Sequence, residues 1–129
     1  MQFARFYLAL GAVSSGVAVV LGAFAAHGLK ARIDAAALGV FQTGVTYQFL
    51  HSLALCVLAL WLLKLDRVVT FADPAAIAGI AFIVGIVCFS GSLYGLSLGA
   101  PRWLGPVTPL GGLAFVVGWT AFAWSAWRS

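Results

Sequence analysis

Four long runs of apolar residues, none carrying a charge, divide this chain. They cover about residues 6–26, 44–63, 74–98 and 109–127. A helix rises about 1.5 Å per residue, so about 20 residues cross a hydrocarbon core of about 30 Å. Each run is therefore predicted to be a membrane-spanning helix. Asp73 before Pro74 has the form of an N-cap followed by a first-turn proline, and Thr108 before Pro109 repeats it. Asp34 is expected to cap a one- or two-turn extension of the second helix. "GAPRWLGPVTP" carries too many proline and glycine residues to be helical throughout and reads as a loop.

Four spans with short connections imply an all-α, integral membrane four-helix bundle in up-down antiparallel order, filling residues 1–129 as one domain. Both termini then share one side. On the other, far side, the first span exits through "LGAFAAHG" and the second enters through "TGVTYQFLH". The third exits there through "FSGSLYGLSLG", and the fourth enters through "TPLGG". The polar and glycine-rich stretches thus gather in one half of the bilayer. The other half is expected to be almost purely apolar.

On the second helix Gly44, Tyr47, Gln48, His51 and Leu55 recur at helical spacing and fall on one face. His51 lies seven residues past Gly44, about 10 Å below the far boundary. On the third, Ser90 and Tyr94 are i, i+4 neighbours, with Ser97 continuing the face. Polar groups at this depth are expensive against lipid and should point inward. Small residues should serve helix contact, as the Gly91/Gly95, Gly11/Ser15 and Gly22/Ala26 pairs and Gly111 with Gly112 suggest. The five tryptophans fall mainly near span ends, as belt residues do.

Composition agrees with this pattern. The chain is 64% hydrophobic and 8% charged, with a mean hydropathy of +1.10, whereas a soluble domain carries about 25% charge. The net charge of +4 does not indicate nucleic acid, because the seven basic residues are scattered at the ends of the apolar runs. Arg5, Lys64, Arg67 and Arg128 fall on the side of the termini, and Lys30, Arg32 and Arg102 on the far side. The excess favours cytoplasmic termini in a bacterial inner membrane. The first run, with Arg5 and "AFA" before Ala26, resembles a secretory signal. Its apolar core of about 19 residues exceeds the usual length, so it is expected to be retained as a span. Cys56 and Cys88 show no redox or metal spacing and are expected to be buried thiols.

Candidate chemistry is sparse. The acids Asp34, Asp66 and Asp73 fall in loops or at helix starts, and only Asp34 shares the far side with the polar cluster. "FSGSLYG" is not a nucleophile elbow, for it lacks the strand–turn–helix context. His51 admits three roles: a hydrogen-bonded structural group, a ligand-binding or proton-handling group, or an axial haem or metal ligand. No cofactor is predicted, and haem or metal through His51 stands as the alternative. His27 reads as an interfacial residue at the helix exit. The candidate ligand-binding cluster is His27, Tyr47, Gln48, His51, Ser90, Tyr94 and Thr108, with no catalytic or metal set.

Together "LGAFAAHGL", "TGVTYQFLHSLAL", "FSGSLYGLSLG" and "TPLGGLAFVVGW" resemble the YgdD/YwdK family of small four-helix bacterial membrane proteins, over nearly the whole chain and in order. Ala25 stands where that family often has glycine. The resemblance implies a four-helix membrane bundle with both ends cytoplasmic and supplies no activity. The leading expectation is a non-enzymatic membrane protein. Its far half would hold a polar pocket or docking groove for a small ligand or lipid headgroup. Two alternatives stand beside it: an auxiliary or assembly subunit of a larger membrane complex, and an oligomeric small transporter or channel. The expected partners are the lipid bilayer and a homo-oligomer or larger complex, without nucleic acid.

Overall fold

The computed structural model describes residues 1–65 and 67–129; Asp66, expected on the side of the termini, lies outside the described residues. Helix α1 runs Gln2–Ala26, α2 Ala35–Lys64, α3 Pro74–Gly85, α4 Gly91–Ser97 and α5 Val107–Trp127. A single π turn, Ile86–Ser90, joins α3 to α4, so the two form one interrupted third span. Among the described residues no strand is present, and four segments are long and apolar enough to cross a membrane. The fold is an all-α four-helix membrane bundle.

The predicted caps explain two of the helix starts. The Asp34 carboxylate accepts from the Ala37 amide at 2.7 Å, which extends α2 nine residues before Gly44. The Asp73 carboxylate accepts from the Ala75 amide at 2.9 Å, with Pro74 in the first turn where its missing N–H is harmless. Arg67 also hydrogen-bonds Asp73. That bond holds the Asp73 carboxyl below the usual carboxylate range, against the opposing effect of burial. The third expected cap fails. Helix α5 begins at Val107, before Pro109, and Thr108 pairs with Ser92 rather than capping. The preceding loop also contains a 3-10 turn at Arg102–Leu104.

Both chain ends meet the α2–α3 connection. Phe3 packs edge-on against Phe71 at 5.0 Å, and the Arg128 charge acts on Asp73. Helix α1 lies along α2, α2 against the third span, and the third span against α5. In the most apolar stretch of α2 and of the third span 44% of residues are buried, against 17% in α1 and α5. The polar face of α2 therefore sits at an inner helix, where a buried amide or imidazole finds protein on several sides.

Glycines seat aromatic rings more than they form a bare backbone seam. Phe82 fills the space over Gly118, Phe115 that over Gly85, and Tyr7 that over Gly79. At Gly111 the neighbour is the backbone of Phe89 itself, so α5 meets the π turn with no room for a side chain. Gly11 similarly abuts the Ser52 carbonyl. The expected Gly91/Gly95 seam does not form: Gly91 faces open space and Gly95 faces the Leu104 side chain. Gly22 makes only ordinary contact with Val45, and Gly112 with Phe89. A glycine spacing repeats by chance in a chain with 15 glycines; only packing selects those that matter.

Two further expectations are corrected. The half of the bundle near the termini contains buried polar groups. Tyr7 is 1% exposed and donates to the Ala76 carbonyl at 2.7 Å, and Trp61 donates to Ser125 at 3.3 Å. Each polar tip is tied to a neighbouring helix, which removes its cost in an apolar setting. Cys56 and Cys88 are free thiols and only half-buried.

Candidate functional site

Helix α2 supplies the centre of the polar cluster. Gln48 and His51 are 6% and 5% exposed, and Ser52 is fully buried. Gln48 and Ser52, one turn apart, share the seam with α1, while His51 reaches α5.

Gln48 joins three helices. Its Nε2 donates to the Ser14 carbonyl at 3.0 Å and lies 3.3 Å from the Ser14 hydroxyl on α1. Its Oε1 accepts from the Tyr94 hydroxyl of α4 at 2.6 Å. Ser52 adds a second link to α1, donating to the Ser14 hydroxyl at 2.6 Å. One turn earlier, Ser90 donates to the Gly44 carbonyl at 2.7 Å, so the π turn is fastened to α2. Gly44 also leaves room for the Tyr94 ring, 2.8 Å from where its Cβ would stand.

His51 faces the other way. Its Nδ1 lies 2.8 Å from the Tyr47 carbonyl, and its Nε2 lies 3.1 Å from the indole nitrogen of Trp119 on α5. A carbonyl can only accept and an indole N–H can only donate. The imidazole is therefore the neutral Nδ1–H tautomer, with Nε2 accepting. Phe115 stacks on the ring at 3.5 Å between centroids and 11° between planes. A metal at Nε2 would have to displace Trp119.

Tyr47 departs from the sequence reading. It is 39% exposed, and among the described residues its hydroxyl has no hydrogen-bond partner. Its ring packs on Phe89 at 4.6 Å and, at longer range, on Phe115 and His51. Trp119, 48% exposed, lies beyond His51 on α5 and meets the imidazole edge-on at 6.0 Å.

The remaining candidates are distributed. Thr108 pairs with Ser92 at 2.5 Å, and Ser97 turns back to the Tyr94 carbonyl of its own helix. His27 is exposed at the end of α1 and makes no side-chain hydrogen bond among the described residues. Sequence reasoning missed Ser14 and Trp119. Ser14 carries no local signal beyond being a serine in an apolar run, and Trp119 has the same sequence signal as a belt residue. Ser52 was legible, four residues after Gln48. Among the described residues no three His, Cys, Asp or Glu side chains come together. The two histidines are not joined either.

Several clefts open elsewhere. One of about 590 Å³ lies at the terminal end among Phe3, Leu62 and Arg67. Another of about 400 Å³ lies between Arg67, Asp73 and Arg128.

The family model described as "Protein of unknown function (DUF423)" matches residues 21–112. The chain is 44% identical over 115 residues to the UPF0382 membrane protein YwdK of Bacillus subtilis, covering 89% of this chain and 90% of that one. It is 38% identical over 123 residues to a UPF0382 membrane protein of Haemophilus influenzae, covering 95% and 94%. It is 39% identical over 115 residues to the UPF0382 inner membrane protein YgdD of Escherichia coli, covering 89% and 84%. No solved structure matches. With most of its length matched by these relatives and by the family model, the chain belongs to the UPF0382 (DUF423) family of membrane proteins, whose function is unknown.

Proposed function

We propose that this is a non-enzymatic membrane protein that receives a small polar ligand or a lipid headgroup in a groove between α2 and α5. The groove lies in the half of the bilayer opposite the termini. The observation that carries this reading is the Tyr47 hydroxyl. The Tyr47 backbone stands about 5 Å inside the far boundary, three residues past Gly44, and its side chain leans toward that boundary. The hydroxyl has no partner among the described residues, on a side chain that is 39% exposed. A hydroxyl facing an apolar phase gains from a polar partner. The neighbouring groups are already engaged: Gln48 with Ser14 and Tyr94, His51 with Tyr47 and Trp119. They act as the rigid backing of the groove, so that a ligand meets a fixed surface.

Tyr47→Phe is the direct test. It removes one oxygen from an exposed position and should leave the melting temperature in detergent unchanged. The expected result is loss of one co-purifying small molecule or lipid species, measured by mass spectrometry of the purified protein. Identical co-purified species in both proteins would overturn the reading.

A second reading, as an auxiliary subunit of a larger complex, is favoured by the outer face of α1. Ala12, Gly16 and Ala23 are exposed there, and nothing approaches within 4 Å of a Cβ at Gly16. Close helix approach in lipid uses such faces.

The orientation proposed is both termini in the cytoplasm, in a bacterial inner membrane. The E. coli relative is named an inner membrane protein, and the basic residues are in slight excess on the terminal side. A phosphatase reporter that works only in the periplasm, fused after Ser129, should be inactive. Activity there would reverse the orientation and leave the bundle untouched.

A further inference from the structure

We propose that the terminal end of the bundle seats an anionic glycerophospholipid, with its phosphate at Arg128 and one acyl chain in the lipid-facing groove between α3 and α5. This seat lies in the opposite half of the bilayer from the Tyr47 groove and does not depend on it.

The head of the seat is the cleft of about 400 Å³ lined by Arg67, Thr70, Asp73, Pro74 and Arg128. Pro74 opens the third span, so the cleft sits at the membrane boundary. Arg67 is paired with Asp73. Arg128 has no ion-pair partner among the described residues. Its guanidinium lies 5.7 Å from the centre of the Trp124 ring. A cation held over an interfacial indole stays at headgroup depth, and its planar fork matches a phosphate.

Directly beneath runs an apolar track. Its first part, about 370 Å³, is lined by Pro74, Ile77, Val117 and Trp124, so it shares Pro74 with the head cleft. Its second part, also about 370 Å³, shares Ile77 and Val117 with the first and continues to Val84 and Leu110. From Pro74 to Val84 is ten residues, about 15 Å of helix. That is half of a hydrocarbon core about 30 Å thick, the depth reached by one acyl chain of one leaflet. Ile77 and Val117 are 39% and 44% exposed, so the track opens to lipid. Positive charge at the boundary, an apolar track leading down from it and a length of one leaflet together fit a single lipid. A soluble anion would use only the cleft.

The full chain would be reconstituted in vesicles of equal phosphatidylglycerol and phosphatidylcholine, extracted gently, and its retained lipids counted by native mass spectrometry. Wild type should retain phosphatidylglycerol in preference to phosphatidylcholine. One surface cation contributes enough that Arg128→Gln should lower that preference about five-fold. Val117→Trp, which fills the track at an exposed position, should reduce retained lipid of both kinds. If it does not fold by melting temperature, Leu113→Trp blocks the same track farther along. Lys30→Gln, at the other end of the bundle, should change neither quantity. Absence of preference in wild type, or an unchanged preference in Arg128→Gln, overturns the proposal. So does an equal loss in Lys30→Gln, which would mean general surface charge. Loss in Arg128→Gln with full retention in the track-blocked variant would mean a phosphate contact without a lipid seat, and also overturns it.

Discussion

Gly111→Ala should destabilise the bundle by about 3 kcal/mol, the upper part of the range for forcing atoms into a packed site. A single added methyl would land on the backbone nitrogen and Cα of Phe89. A side chain can rotate away from such a collision, but a backbone inside the π turn cannot. Helix α5 would have to withdraw, and with it Trp119 and its hydrogen bond to His51. The comparison is Gly91→Ala, the same chemical change two residues farther along the third span from Phe89. Nothing lies within 4 Å of a Cβ there, so the gain in helix propensity should leave that variant unchanged or more stable by about 0.5–1 kcal/mol. Unfolding of both variants in a common detergent series measures the difference. Equal destabilisation of the two would remove the close approach of α5 to the π turn.

Gln48→Leu is expected to cost about 2 kcal/mol. Intramembrane hydrogen bonds average only about 0.6 kcal/mol, so the bonds alone do not account for this. The larger contribution is the Tyr94 hydroxyl, which keeps its buried position and loses its acceptor; an unsatisfied buried group costs about 1–3 kcal/mol. The Ser14 carbonyl still has its place in the α1 ladder and suffers less. Adding Tyr94→Phe to Gln48→Leu removes the orphaned hydroxyl and should recover part of the loss. The double variant should therefore be more stable than the sum of the two single changes requires. Strict additivity in this cycle would show that the 2.6 Å contact between Gln48 and Tyr94 carries no energy.

How much of the site could be read from residues alone follows from these two cases. Gln48, His51, Ser90 and Tyr94 were all legible as inward-facing, since a polar side chain deep in an apolar run has no favourable outward direction. The same reasoning misplaced Tyr47, because position on a helix face specifies an angle and not whether a neighbour covers it. Tyr47 falls where α2 and α5 stand apart, and there the face opens. Trp119 illustrates the reverse error. An indole between lipid and protein can have its ring exposed and its N–H turned inward, and only the partner decides which matters.

The sequence by itself determined the number of spans, their antiparallel order, the Asp34 and Asp73 caps and the placing of Gln48, His51, Ser90 and Tyr94 in the far half of the bundle. Those properties depend on distances along the chain: the length of an apolar run against the thickness of the membrane, and the reversal of direction at each loop. The tertiary structure alone decided that Gln48 reaches Ser14 and Tyr94, that His51 meets Trp119, that Gly111 and not Gly91 touches a neighbouring backbone, and that α3 takes a π turn before α4. Each of these depends on the relative depth and rotation of two helices. A shift of one residue moves a side chain by about 1.5 Å along the axis and about 100° around it. That is enough to make or break every contact named, and it is settled by how the large rings of Tyr7, Phe82 and Phe115 fit over the glycines opposite them and how Gly111 meets the Phe89 backbone.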